Sequence, residues 1–407
     1  MENIQQIRYR YFTEAEQAEL RGLIASGAVT AKRHPKYDLY LYSYTRDYVR
    51  TPNEARWKND LLNQCRGLIA TGDGAIVVRP FPKFFNYEEI DAYYEPGYVE
   101  NLVKSKHLYP QIWEKVDGSL GILYFPPDGS APELCTRNSW DSDQAIEGTR
   151  ILRRKYWRAL EQLDRSKTYL FEIIYPENRL IIDYGSREDV VLLAVRDTAS
   201  GYEYPINDPR FNPGYSDNPE FNKGFPIPHR YMNVSDWHNC REFIDPENKE
   251  GFVVRFIDSA LEPTPAFRVK MKFKEYFEMN FLKGKLTRQN ILKLVTSDQG
   301  KLREMFDRLR EAQAEEMEII ARNYVKEFEA YRDKLAADAI AAYKSPEEFP
   351  SKAEWAAYVK ASGSIAPVLF KLKPGASVKS LMDDPTMQKI LWKIVWQDLS
   401  EQKEEQK

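Results

Sequence analysis

The chain holds only three cysteines, Cys65, Cys135 and Cys240, which are odd in number and far apart, and only four histidines, also scattered. No zinc-ligand spacing can be built from them, and the pattern argues for reduced thiols in a cytoplasm over a disulfide framework. Long apolar runs are missing as well. The longest, Val190 to Val195, is far short of the roughly 20 residues that a membrane helix needs. The opening Met1-Glu2-Asn3-Ile4-Gln5-Gln6 has no apolar signal core. The expectation is a cytoplasmic protein with no membrane partner. An excess of charge is absent too: 59 Lys and Arg against 62 Asp and Glu leave a net charge of −3. No global basic field announces nucleic acid, so any such surface must be a local concentration of cations. What remains is a globular chain of 407 residues, 43% hydrophobic, long enough for two or three domains.

Against this background one stretch stands out. In Gln111-Ile112-Trp113-Glu114-Lys115-Val116-Asp117-Gly118-Ser119-Leu120-Gly121-Ile122-Leu123-Tyr124-Phe125, two apolar runs flank a polar glycine turn, which reads as strand, tight turn, strand. Lys115 stands at the mouth of that turn. With the Asp117 carboxylate two residues on and Gly118 letting the backbone approach a ligand closely, the arrangement suits nucleophilic attack on a phosphate. On its own the pattern is weak, because composition alone yields K-x-D-G in roughly one chain in ten of this length.

Further elements follow in order. Phe171-Glu172-Ile173 lies in an apolar strand, Glu250-Gly251-Phe252-Val253-Val254 opens another, and Val269-Lys270-Met271-Lys272 forms a third. Lys270 and Lys272 are two apart, so a strand turns both to the same face, where like charges are unfavourable unless an anion lies between them. A bound phosphate supplies one. Glu172, among apolar neighbours, needs solvent or a partner, since burying it alone is costly. Upstream stand Cys65-Arg66-Gly67-Leu68-Ile69 and Phe81-Pro82-Lys83-Phe84-Phe85-Asn86.

This ordered set resembles the covalent nucleotidyltransferases, the superfamily of ATP-dependent ligases and mRNA capping enzymes. With its C-R-G and F-x-K-F-F-N elements, the chain is most similar to the T4-type RNA ligase 1 family over roughly residues 35 to 280. The resemblance implies an ATP-dependent RNA ligase that works through lysine-AMP and adenylated RNA, joining 3′-hydroxyl and 5′-phosphate ends. Lys115 would be the nucleophile, and Lys270 and Lys272 would stabilise charge on the phosphates. Arg66 and Lys83 would contact the ATP phosphates, Glu172 the ribose, and Val253 the adenine. Asp117 and Gly118 join the ATP-binding set. Glu250 would hold Mg2+, with Mn2+ as a substitute. Relatives imply repair of nicked tRNA in phage-infected bacteria, hence a host cytoplasm. Where relatives often have a lysine this chain has Arg137, and it receives no role. The competing readings are a DNA ligase, a capping-type nucleotidyltransferase and a non-catalytic RNA-binding relative.

The remaining pattern gives the architecture. A capped helix is expected over residues 13 to 26, a half-buried strand over 38 to 44, and a hairpin over 65 to 78 with Thr71-Gly72-Asp73-Gly74 at its turn. Helical spacing covers 143 to 163, and strand-like runs are Thr168 to Ile174, Leu180 to Ile182 and Val190 to Val195. Residues 200 to 249 read as a long irregular insertion, and Pro263-Thr264-Pro265 as a loop between strands. From about residue 281 Pro and Gly thin out and helical periodicity takes over, where DNA ligases and capping enzymes would have an OB-type barrel. Cations cluster near its start: Lys283, Lys285, Arg288, Lys293, Lys301 and Arg303. The tail 401 to 407 reads as frayed. The expected fold is α+β: an ATP-grasp-like nucleotidyltransferase domain of antiparallel sheets with flanking helices over 1–280, then an all-α domain over 281–407.

Overall fold

A computed structural model describes residues 9–45, 59–92, 94–232, 236–258, 264–311 and 314–400. Of the expected loop Pro263-Thr264-Pro265, Pro263 lies outside the described residues, as does the tail at 401–407, and Pro265 already opens a strand. The chain divides into two compact units, Met1–Tyr276 and Phe277–Lys407.

The first unit is α+β and carries three antiparallel sheets. Strands β1 (Arg10–Tyr11), β2 (Val29–Arg33), β3 (Leu39–Tyr44), β4 (Arg66–Thr71) and β5 (Ala75–Val78) form one sheet in the order β1-β5-β4-β3-β2. The helix Glu14–Ala25 precedes β2. Thr13 and Glu16 cap its start reciprocally, and Gly27, at φ 73°, ends it. Strand β6 (Tyr109–Glu114) leaves for a second sheet. The next strands, β7 (Ser119–Tyr124), β8 (Glu133–Cys135), β9 (Lys167–Ile174), β10 (Asp189–Asp197) and β11 (Glu203–Tyr204), build a third, ordered β11-β10-β9-β7-β8. Strands β12 (Gly251–Ile257) and β13 (Pro265–Lys272) then return to β6 in the order β13-β12-β6.

Two expectations change here. The two strands expected on either side of Lys115 are present but do not pair with each other: β6 and β7 belong to different sheets, so the lysine sits where the chain crosses between them. Leu180 to Ile182 is no strand: the amides of Ile181 and Ile182 donate to the Asp117 side chain. The 200–249 stretch is largely irregular, as its Pro and Gly content dictates, apart from β11 and the short helix Cys240–Phe243.

Alternation along β6, β12 and β13 makes the three-stranded sheet two-faced. Register pairs Trp113 with Val253 and Val253 with Lys270; the next row on that face pairs Gln111 with Arg255 and Arg255 with Arg268. Ile112, Phe252, Val254, Phe256, Val269 and Met271 point the other way, into a core shared with Leu68, Ala70 and Ile76 of the first sheet. The other face of the first sheet, through Leu39, Leu41, Ile69 and Val78, packs on Ile122, Tyr124, Leu170 and Ala194 of the five-stranded sheet. That sheet's remaining face is covered by the helix Asp143–Leu160, whose Ile151, Leu152 and Ala159 meet Phe171, Ile173 and Leu192.

Glu203 of β11, 3% exposed, ties two sheets together. It receives the Arg268 guanidinium at 2.9 and 2.8 Å, Arg196 at 3.4 Å and Arg255 at 3.5 Å. Burial alone would raise its pKa, but the three arginines reverse that and hold the carboxyl near 2, against an ordinary 4.5.

The second unit is all-helical among its described residues. Its longest helix, Glu315–Ala342, buries Phe328, Leu335, Ala336 and Ala339 in one core with Leu391, Ile394 and Val395 of the helix Pro385–Leu399. Helix starts are capped by side chains: Thr287, Ser351 and Asp384 each accept from a first-turn amide. Among the described residues no helix is long and apolar enough to cross a membrane.

Glu203→Gln should lower stability at pH 7 by about 3 kcal/mol, since it leaves buried guanidinium charge without its counter-ion. The wild-type carboxyl has a depressed folded pKa, so its contribution is full above 4.5 and disappears as pH falls through about 2. Urea unfolding of both proteins across that range should show the gap narrowing. A gap that is absent at pH 7 would show that the cluster holds nothing together.

Candidate active site

The polar face of the three-stranded sheet forms the floor of a cavity of about 370 Å³. Val253, Trp113, Leu120, Leu193 and Ile206 line it with apolar surface; Lys115, Lys270, Lys272 and Arg66 supply cations, and Glu172 a carboxylate. Gly118 is also at its edge. Seven of the residues singled out from sequence therefore converge on one space: Lys115, Lys270, Lys272, Arg66, Gly118, Glu172 and Val253. Glu250, Lys83 and Asp117 stand next to it.

Glu250 organises the reactive end. Its carboxylate, 2% exposed, accepts from Lys115 Nζ at 2.6 Å through Oε2 and pairs with Lys272 Nζ at 2.7 Å through Oε1. Lys272 also lies over the Tyr276 ring, 4.6 Å from its centroid. Burial pulls the Lys115 ammonium down, but the Glu250 and Glu172 carboxylates outweigh it and hold its pKa above the ordinary lysine value. Burial, opposed by Lys115 and reinforced by Glu250 and Asp117, pushes the Glu172 carboxyl up to about 7. The anion between the strand lysines expected from sequence is thus in part internal: Glu250 serves Lys272, but not Lys270.

Lys270 is the exception in this cluster. Its ammonium has no carboxylate within ion-pair distance among the described residues and instead faces the Phe84 ring at 4.7 Å. Burial and the charges of Arg66, Lys83, Lys115 and Lys272 push its pKa well below the usual range. Arg66 shares that corner, and its Nη1 is buried without a hydrogen-bond partner. Lys83 lies over the rings of Tyr44 and Phe85. Arg137 joins them, 4.7 Å from the Tyr44 centroid. Sequence reasoning left Arg137 unassigned, and missed Trp113, Arg255 and Arg268 on the floor. The alternation of β12 and β13, extended two residues from Val253 and Lys270, would have found the two arginines.

Asp117 has a different place from the one expected. It is 5% exposed and does not reach the cavity. Oδ2 accepts from the amides of Ile181 and Ile182 at 3.0 and 3.1 Å, and Oδ1 from the Tyr276 hydroxyl at 2.8 Å. Both oxygens are thus engaged inside the fold. Gly118 is required by close approach to the protein's own backbone: a Cβ there would lie 2.5 Å from the Ile173 carbonyl oxygen. Gly251, at φ 141°, is likewise pressed against Met271 of β13.

Among the described residues no group of three or more Asp, Glu, His or Cys side chains gathers as a metal centre. Glu250 and Glu172 lie close enough to interact, beside a corner of cations, Arg66, Lys83 and Lys270, that burial and mutual repulsion hold below their ordinary pKa values. Such a donor set fits a hard divalent ion that takes one or two carboxylates and completes its shell with phosphate and water oxygens. It also fits a polyphosphate, which would satisfy Arg66 Nη1 and Lys270 together.

Replacing Lys270 by Met removes a half-buried charge surrounded by like charges. The ligand-free protein should become more stable, by about 1 kcal/mol in urea unfolding. A loss of stability instead would mean that the ammonium is already compensated.

A family model described as RNA ligase matches residues 64–277. A Thermovibrio ammonificans protein named "Putative RNA ligase" is 30% identical over 225 residues, 54% of this chain and 54% of its own length. An RNA ligase of Rhodothermus phage RM378 is 26% identical over 172 residues, 34% of this chain and 38% of its own. The chain thus spans about half the length, or less, of these curated relatives. Among solved structures, an archaeal ATP-dependent RNA ligase aligns at 15% identity over 76% of this chain and 74% of its own, with a TM-score of 0.39. The family match takes in more than half of the chain and every residue named above on the cavity, and the chain belongs to the T4-type RNA ligase 1 family.

Proposed function

We propose that the protein seals RNA, using ATP to join a 3′-hydroxyl to a 5′-phosphate. The observation that carries this reading is Lys115 held against Glu250, which also pairs with Lys272, at the edge of a cavity of about 370 Å³ that combines cations with apolar surface from Val253, Trp113, Leu120, Leu193 and Ile206. The adenine lies over Val253, Glu172 reaches the ribose, and Lys270, Lys272 and Arg66 meet the phosphates, with Lys83 supporting that corner. Lys115, once it has lost a proton, attacks the α-phosphorus; the bond to the β-phosphate breaks and pyrophosphate leaves. AMP next passes from Lys115 to the RNA 5′-phosphate. Attack by the 3′-hydroxyl on that activated phosphate then releases AMP and closes the strand.

Free lysine is only about one part in a thousand unprotonated at neutral pH. Glu250 keeps Lys115 in place as the ammonium until substrate arrives, so activation has to weaken that pair. A divalent ion, Mg2+ or Mn2+, held by Glu250 with Glu172 nearby, would neutralise the carboxylate and disfavour the ammonium. The lysine pair then serves the charge that develops on the leaving pyrophosphate.

The helical unit is the proposed RNA-recognition surface, with nicked tRNA as the substrate the family resemblance suggests and a host cytoplasm as the setting. Its cations are not equivalent. Arg288 is paired with Glu327 at 2.7 Å and Lys301 with Asp298 at 3.1 Å. Exposed Lys293 and Arg303 are better placed to follow a phosphate backbone.

Lys115→Ala should lose sealing of 5′-phosphorylated RNA with ATP by at least the roughly thousandfold that loss of a covalent nucleophile costs. It should keep part of the sealing of pre-adenylated RNA, which bypasses the nucleophile. Equal sealing of 5′-phosphorylated RNA by mutant and wild type would remove Lys115 from the chemistry.

A further inference from the structure

We propose that the segment Asn178–Tyr184 is the mould of the reactive turn, with Asn178 and Tyr184 acting as positioning residues for attack by Lys115. The proposal rests on the nucleotidyl-transfer reading above. Nothing in the spacing of the motifs points to this segment, and its apolar Leu180–Ile182 run reads from sequence as a strand. In the structure it instead wraps the turn from below.

Four contacts join the segment to the Lys115–Ser119 turn. The amides of Ile181 and Ile182 both donate to Asp117 Oδ2. The Asp117 amide donates to the Tyr184 hydroxyl at 2.9 Å. Ser119 Oγ donates to Asn178 Oδ1 at 3.1 Å. Asp117 and Ser119 lie on either side of Gly118, so both ends of the glycine are held and its freedom is removed where it would otherwise be greatest. Asn178 is itself fixed, with Nδ2 donating to the Ile173 carbonyl at 3.1 Å.

The same segment also grips the other partner of the nucleophile. The Asp183 amide donates to Asn248 Oδ1 at 2.7 Å, and Asn248 Nδ2 donates back to the Asp183 carbonyl at 2.6 Å. Asn248 is held at φ 50°, two residues before Glu250. The Lys115 amide completes the frame by donating to the Gly251 carbonyl at 2.9 Å. One short loop therefore sets the position of the turn that carries Lys115 and of the approach to Glu250. The separation of these two side chains, 2.6 Å, follows from where both backbones are placed. Misplacing an attacking atom by about 1 Å can cost roughly a hundredfold in rate, which is the effect a positioning element prevents.

Tyr184→Phe removes one oxygen and leaves the ring; Asn178→Ala removes the Ser119 acceptor. In single-turnover adenylation, each should lower the maximal rate of lysine-AMP formation by about tenfold or more while the ATP concentration for half-maximal rate moves by less than about threefold. Sealing of pre-adenylated RNA should fall far less, since that step does not use the nucleophile. Amide hydrogen exchange at Asp117 should be faster in Tyr184→Phe, and this readout holds whether or not the protein forms an adduct. Unchanged exchange at Asp117 overturns the mould itself. An unchanged adenylation rate, or a rate and an ATP requirement that both worsen in step with lost thermal stability, overturns the positioning role. If wild-type protein forms no lysine-AMP, the nucleotidyl-transfer reading fails, separately from the exchange result.

Discussion

The Glu250 carboxylate is enclosed between two lysines, Lys115 and Lys272, each within 2.7 Å of one of its oxygens. Little else at the site can be understood without it. A buried carboxylate is costly unless it is paired, and here two cations share it, so that it fixes both ammonium groups. The nucleophile is thereby kept protonated and harmless in the empty protein. Glu172 stands nearby, its carboxyl pushed up to about 7 by burial and by the neighbouring acids. A carboxyl poised there can hold or release a proton close to neutral pH, beside the pair that fixes the nucleophile.

The surrounding sheet explains why so much charge can be tolerated. Ile112, Phe252, Val254, Phe256, Val269 and Met271 bury one face of the β6–β12–β13 sheet and contribute the stability. The residues that alternate with them are free to be chosen for chemistry. Lys270 shows the cost of that choice, since its neighbours are mostly of its own sign. Glu203 offsets part of the surplus further along the same face, where it gathers Arg255 and Arg268 and links them to Arg196 of the next sheet.

Much of this could be read from sequence because strand alternation converts spacing into a face: Lys270 and Lys272, two apart, do share one. The order of lysine, Phe-Glu, Glu-Gly and lysine pair pointed to the family before any geometry. The helical character of the second unit followed from periodicity, although a break at Asp384, which caps the helix Pro385–Leu399, was not evident from spacing alone. Other features were hidden for physical reasons. Asp117 looked like a ligand-facing acid because a sequence does not show that distant groups, the amides of Ile181 and Ile182 and the Tyr276 hydroxyl, will engage its oxygens. The same hydrogen bonds explain why Leu180–Ile182, strand-like by composition, is irregular. Arg137 is brought beside Tyr44 and Arg66 only by the packing of two sheets, for which no local pattern exists.

The central claim is that Lys115, and no other lysine of the cluster, takes up AMP. Incubation of the full chain with ATP and a divalent ion, followed by proteolysis at neutral to mildly alkaline pH and peptide sequencing by mass spectrometry, tests it directly. The account predicts an acid-labile AMP on the peptide that contains Lys115, with Lys270 and Lys272 unmodified. AMP on either strand lysine, or intact protein carrying no adduct under conditions where ATP binds, would contradict it.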